Sequence, residues 1–138
     1  MSTGIQAQII AGDEIVFDKE AGLQSIVRIR NRAEVELLPS VVVLQCLYKL
    51  LFDQDETTVN LDIFCLNESG QVVFHDMLTE ISNVREPGMP PGIDIAAFVR
   101  ILVMEEGVHL IRLESEGTVL AQYPLLIQAS GHQEDAAS

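Results

Sequence analysis

Apolar and polar side chains change places at every residue along several stretches of this chain, and that period of two limits what it can become. In residues 57–66, TTVNLDIFCL, Val59, Leu61, Ile63 and Cys65 share one face, with Thr58, Asn60 and Asp62 opposite. In 41–52, VVVLQCLYKLLF, Val42, Leu44, Cys46, Tyr48, Leu50 and Phe52 align, with Gln45 and Lys49 behind them. In 95–103, Ile95, Ala97, Val99, Ile101 and Val103 align, with Arg100 behind. Alternation of this kind marks strands with one face in a core. Leu, Tyr and Lys leave a helical reading of 41–52 open, but β-branched Val41–Val43 and the preceding Pro39 favour a strand.

Turn residues separate the runs. Asn67-Glu68-Ser69-Gly70 stands between 57–66 and 71–78, Glu105-Glu106-Gly107 between 95–104 and 108–114, and Glu114 to Gly117 inside the hairpin of 107–127. Strands recurring about every ten residues are spaced for a sandwich or barrel, not for βαβ units. The expected fold is all-β, a single antiparallel two-sheet β-sandwich of about seven to nine strands. It would span residues 5–128, between a flexible N-terminus at 1–4 and a disordered acidic tail at 129–138, whose small and polar residues have nothing to bury. A chain of 138 residues suffices for one such core and is too short for two.

Residues 26–37, IVRIRNRAEVEL, allow two readings. A three-residue loop at Asn31-Arg32-Ala33 would set Arg30 against Glu34 and Arg28 against Glu36 as cross-strand ion pairs. One long strand would instead display Arg28, Arg30 and Arg32 as a basic stripe able to hold an anion.

The formal charge is −13, from 21 acidic and 8 basic residues, which opposes non-specific binding to nucleic acid or an anionic membrane. Imitation of a phosphate backbone by massed carboxylates is a competing reading, but the acids are scattered through nearly every turn. No run of eighteen apolar residues predicts a membrane span. The chain opens with Met1 and no basic-plus-apolar leader follows, so a cytoplasmic location with Cys46 and Cys65 as reduced thiols is expected.

Several segments resemble small bacterial β-sandwich proteins that form a family of unknown function, with an immunoglobulin-like or C2-like sandwich. They are the apolar strand after Leu37-Leu38-Pro39, the strand and turn ending Leu66-Asn67-Glu68-Ser69-Gly70, and Gly107-Val108-His109-Leu110-Ile111-Arg112-Leu113 running into Val119-Leu120-Ala121. The resemblance covers residues 5–128 and implies a sandwich without implying an activity. An aromatic is common two residues after the glycine of that last hairpin, where this chain has His109.

Motifs for chemistry are missing from the sequence. There is no CxxC or HExxH, and His75, His109 and His132 stand far apart. Cys46 and Cys65 fall in apolar rows, as inert core residues do. DQDETT (53–58) begins like a calcium loop but has Thr58 and Phe64 where glycine and glutamate belong. No nucleophile elbow, P-loop or dinucleotide glycine pattern occurs. The expectation is a protein that is not an enzyme and uses no cofactor or metal.

Two features point to binding. The loop SNVREPGMPPG (82–92) has three prolines, reads as a stiff crossover between sheets, and offers Arg85 and Met89 as anchors. The second is the apolar content of faces that a sandwich should leave polar: Phe64 and Leu66 on one strand, and Ala96, Phe98, Leu102 and Met104 on and just beyond another. With a mean hydropathy of +0.26, these residues point to a protein partner, with a homo-oligomer, a dimer in particular, as the simplest case. The sequence therefore predicts a protein-interaction or assembly module. The alternatives are a module taking an anionic small molecule on Arg28, Arg30 and Arg32, and an acidic mimic that inhibits a nucleic-acid-binding protein.

Overall fold

The computed structural model describes residues 4–130. Nine strands follow in chain order: β1 (Ile5–Asp18), β2 (Leu23–Ile29), β3 (Arg32–Val35), β4 (Ser40–Phe52), β5 (Thr58–Leu66), β6 (Val72–Ser82), β7 (Gly92–Val103), β8 (Gly107–Ser115) and β9 (Thr118–Ala129). They form a four-stranded sheet ordered β2-β1-β4-β7 and a five-stranded sheet ordered β3-β9-β8-β5-β6. Neighbours are antiparallel except β3 and β9, which run parallel. A sheet β1-β4-β7 facing a sheet β9-β8-β5, with the chain crossing between layers, is the Greek-key arrangement of an immunoglobulin-like sandwich.

The three alternating rows are the core. Leu44, Cys46, Tyr48, Leu50 and Phe52 of β4, with Val99, Ile101 and Val103 of β7 beside them, face Leu61, Ile63 and Cys65 of β5 and Ile111, Leu113, Leu125 and Ile127 of β8 and β9, all nearly or fully buried. Both cysteines are free thiols inside this core, and burial pushes each up to about 12. The turns form where their residues allow. Glu116 and Gly117 both have positive φ, as a two-residue hairpin between β8 and β9 requires. His109 is fully buried, and its ring Nδ1 pairs with the Gly107 carbonyl at 3.0 Å. This is the place, two residues after a glycine, where immunoglobulin-like sandwiches commonly carry a tyrosine that bonds back to the main chain.

The segment 26–37 is neither a hairpin nor one long strand. Ile26 and Val27 pair with β1 in one sheet, whereas Arg32–Val35 pair with β9 in the other. The chain crosses between layers at Arg30-Asn31: the Arg30 N–H donates to the Ala11 carbonyl at 2.8 Å, and the Asn31 carbonyl accepts from Leu126 N–H at 3.0 Å. The left-handed φ of 51° at Arg28 turns the strand toward this crossing. The Tyr123 hydroxyl of β9 donates to the Arg30 carbonyl and pins the crossing to the second sheet. The expected pairs Arg30–Glu34 and Arg28–Glu36 are replaced by a shared partner on β1, Asp13. Pattern alone could not reveal this, because both readings of 26–37 kept the segment within one sheet.

Of the expected loose ends, residues 1–3 and 131–138 lie outside the described residues. Gly4 accepts a hydrogen bond from Asp53 N–H at 3.0 Å, and β9 runs through Ala129, after which Ser130 N–H donates to the Val35 carbonyl at 2.8 Å. Among the described residues no helix is long and apolar enough to cross a membrane.

Candidate functional site

β4 and β7 pair along almost their whole length, and the register decides which outward side chains meet. Val41 lies opposite Leu102, Gln45 opposite Phe98 and Leu47 opposite Ala96, with Val43 opposite Arg100. Outward residues on adjacent strands in register lie side by side on one face. Val41, Val43, Phe98, Leu102 and Met104 are 57, 50, 51, 46 and 52% exposed, so four large apolar side chains stand in solvent on the paired strands and a fifth, Met104, just past the end of β7. Scattered apolar residues are ordinary on a surface, whereas a contiguous group is not. Charge of both signs stands among and beside these residues, with Arg100 between Phe98 and Leu102 on β7. The Arg100 guanidinium sits 5.5 Å from the Phe98 ring centre, and Lys49 Nζ lies 3.2 Å from Asp94 Oδ1.

The contact residues expected from the sequence do not form one surface. Phe98 and Leu102 belong to the outer side of the four-stranded sheet, with Met104 just past the end of β7. Phe64 and Leu66 lie on β5 in the five-stranded sheet, whose outer side faces the opposite way. Phe64 is also half covered, stacked on His75 with ring centres 4.5 Å apart, and His75 Nε2 lies 3.0 Å from Asp62 Oδ1. Sequence alternation cannot assign strands to sheets, so it grouped outward residues that the fold separates. It also passed over Val41 and Val43, whose exposure is meaningful only once β7 is known to lie beside β4.

The 82–92 loop does cross between sheets, as its prolines predict, because β6 and β7 lie in different layers. Met89 is 51% exposed at its tip. Arg85 is turned inward: its guanidinium donates to the Pro90 carbonyl at 3.2 Å and to Asp94 Oδ1 at 3.4 Å. It braces the loop against β7 and is not presented as an anchor.

The three arginines of the expected stripe are divided by the crossing at Arg30-Asn31. Arg28 Nε and Arg30 Nε bind the two oxygens of Asp13 at 2.5 and 2.7 Å. Hydrogen bonds from Arg30 and Arg28 hold the Asp13 carboxyl down at about 2, against an ordinary 3.8. A carboxylate with a depressed pKa contributes stability above its unfolded value, and that contribution disappears as pH falls through the folded one. Asp13→Asn should therefore lower the urea midpoint at pH 6, and the gap to wild type should close between pH 4 and 2. A gap of constant size down to pH 2 would show that the Asp13 charge does not stabilise the crossing.

Arg32, on β3, makes no ion pair among the described residues. It faces a slot of about 530 Å³ between β3 and the first residues of β4, which Asp13, Arg30 and Glu34 also line. No three His, Cys, Asp or Glu side chains come together to hold a metal ion among the described residues. The two glutamates of the 105–107 turn point apart. Glu105 accepts from Ser69 N–H and Oγ–H at 3.0 and 2.9 Å, and Glu106 accepts from Ala129 N–H at 2.7 Å.

No family model and no curated protein matches the sequence. Among solved structures, the chain is similar to part of a β-glucuronidase of glycoside hydrolase family 2, with 13% identity over 66% of this chain and a TM-score of 0.46. It spans 10% of that enzyme's chain. It is similar to a chain of a gE-gI/Fc complex, with 7% identity, 93% of each chain covered and a TM-score of 0.49. It is also similar to an immunoglobulin-like protein from Pseudomonas aeruginosa, with 15% identity, 89% of this chain and 95% of that one covered, and a TM-score of 0.43.

Proposed function

We propose that this protein is a non-catalytic interaction module of a reducing compartment such as the cytoplasm, and that it associates with a second copy through the outer side of its four-stranded sheet. The observation that carries the reading is the row of half-exposed Val41, Val43, Phe98 and Leu102 on two paired strands, with Met104 just past the end of β7. Covering such a row removes apolar area from water, which stabilises an assembly by about 25 cal/mol for each Å² buried. Two features favour a second copy over an unrelated partner. An apolar row on two paired strands can meet its own copy under a two-fold rotation, and two-fold dimers are the commonest assemblies. The same face is poor in acids, so the −13 charge of each subunit is carried largely elsewhere. The buried free thiols Cys46 and Cys65 fit a reducing compartment.

Light scattering tests the reading. The wild-type chain of 15.2 kDa should approach twice that mass as its concentration rises. Phe98→Asp, at an exposed position, should keep the folded spectrum and remain at the single mass. A wild type that stays monomeric at millimolar concentration would refute self-association.

A further inference from the structure

β4 is paired on both sides for only part of its length. Its ladder with β7 runs from Ser40 to Leu51, but its ladder with β1 runs only from Gln45 to Phe52. β1 leaves β4 at Gly12 to pair with β2, and the Gln45 side-chain carbonyl accepts from Ile15 N–H where the two strands part. Residues Ser40–Leu44 thus have a free edge inside an otherwise continuous sheet. β3, the nearest strand on that side, belongs to the other sheet and pairs only with β9. The slot of about 530 Å³ lies in this gap. Its floor is Val42, Leu44 and Val35, each under 10% exposed. Its rim is charged, with Arg30, Arg32, Asp13 and Glu34.

We propose that this slot accepts an extended acidic peptide as an added strand beside residues 40–44. Backbone N–H and C=O groups are obligatory hydrogen-bonding groups, and an open sheet edge takes up another strand by supplying them. Added strands alternate their side chains, so small apolar residues on one side of the peptide would meet the Val42–Leu44 floor. Charge sets the other side. Asp13 holds two guanidinium groups, one of them that of Arg28 from outside the slot, so Arg28, Arg30 and Arg32 outnumber Asp13 and Glu34 by one in a molecule of net −13. Arg32 has no partner among the described residues, so a peptide carboxylate gains a charge-assisted contact without breaking one. The site is separate from the Phe98 end of the apolar face, and the inference does not depend on self-association.

The test uses a capped heptapeptide of alternating valine and glutamate, its valine–lysine counterpart, and isotope-labelled full chain bearing Phe98→Asp, with dilute wild type as a second background. The glutamate peptide should shift the amide resonances of Val41–Leu44 and slow their hydrogen exchange, with little change at β5 or β6. Arg32→Glu should weaken it about tenfold, as loss of one charge-assisted hydrogen bond does. That variant should favour the lysine peptide. Equal binding of both peptides to wild type, or no response at residues 40–44 at millimolar peptide, overturns the proposal. In the Phe98→Asp chain, protection of those amides that rises with protein concentration alone also overturns it, by placing a second copy in the slot. A monomeric wild type that takes the peptide would refute only the dimer, whereas a dimer that ignores it would refute only the slot.

Discussion

Gly92→Ala is expected to destabilise the protein by about 3 kcal/mol or more, beyond the upper end of ordinary overpacking. Gly92 pairs with Leu51 at the start of β7, and a β-carbon there would stand 2.2 Å from the Leu50 carbonyl oxygen. The obstacle is backbone, so no side-chain rotation relieves it. On its other side the Arg85 guanidinium would lie 3.1 Å away, held by the Pro90 carbonyl and Asp94. The strand end must move, and with it the Gly92 carbonyl that accepts from Val84 N–H and the Gly92 N–H that donates to Asn83. A domain of this size has a total stability of about 5–15 kcal/mol, so the loss should be plain in a urea titration and should lower the melting temperature by roughly 10 °C. Gly88→Ala is the control. Nothing lies within 4 Å of its would-be β-carbon, and only its φ of 92° opposes a side chain, at about 1 kcal/mol. Equal midpoints for the two variants would mean that the 82–92 loop does not clamp β7 as described.

Leu113→Ala should cost about 2–5 kcal/mol, the range for deleting a fully buried leucine side chain and leaving a cavity. Leu113 is wholly buried on β8, in register with Ile63 on β5. The informative comparison is Leu102→Ala on the outer side of β7, where the side chain is 46% exposed. Within the monomer that change should stay inside about 0.5 kcal/mol, as surface substitutions do. It should weaken self-association instead. The two leucines thus separate what the fold needs from what the surface does, and chemical denaturation at low protein concentration reads the difference. A cost of 2 kcal/mol or more for Leu102→Ala in the monomer would mean that it is covered by the chain itself.

Reading inward and outward rows from the sequence succeeded because sidedness is a local property. The positions of Cys46, Tyr48, Ile63, Val99 and Ile101 in the core follow from a period of two, which needs no knowledge of partners. Turn chemistry served equally well at Asn67–Gly70 and at Glu116-Gly117, where local backbone preference dominates. Which strands share a sheet is not local, and there the sequence misled. Arg28 and Arg30 meet Asp13, fifteen and seventeen residues earlier, instead of Glu36 and Glu34. Alternation marks Phe64 and Phe98 alike as outward residues, although a sandwich's thickness separates them. The slot beside Ser40–Leu44 was invisible for the same reason, because it exists only where β1 departs from β4 and β3 belongs to the opposite layer. Asp13 itself gave no signal, being one acid among 21.

Methyl NMR of the wild-type protein over a dilution series tests the interaction surface most directly, since it reports place as well as mass. Val41, Val43 and Leu102 methyl resonances should move together as concentration rises, while those of Val72 and Val108, on the five-stranded sheet, stay fixed. Movement confined to Val72 and Val108, or none anywhere up to millimolar protein, would contradict the account.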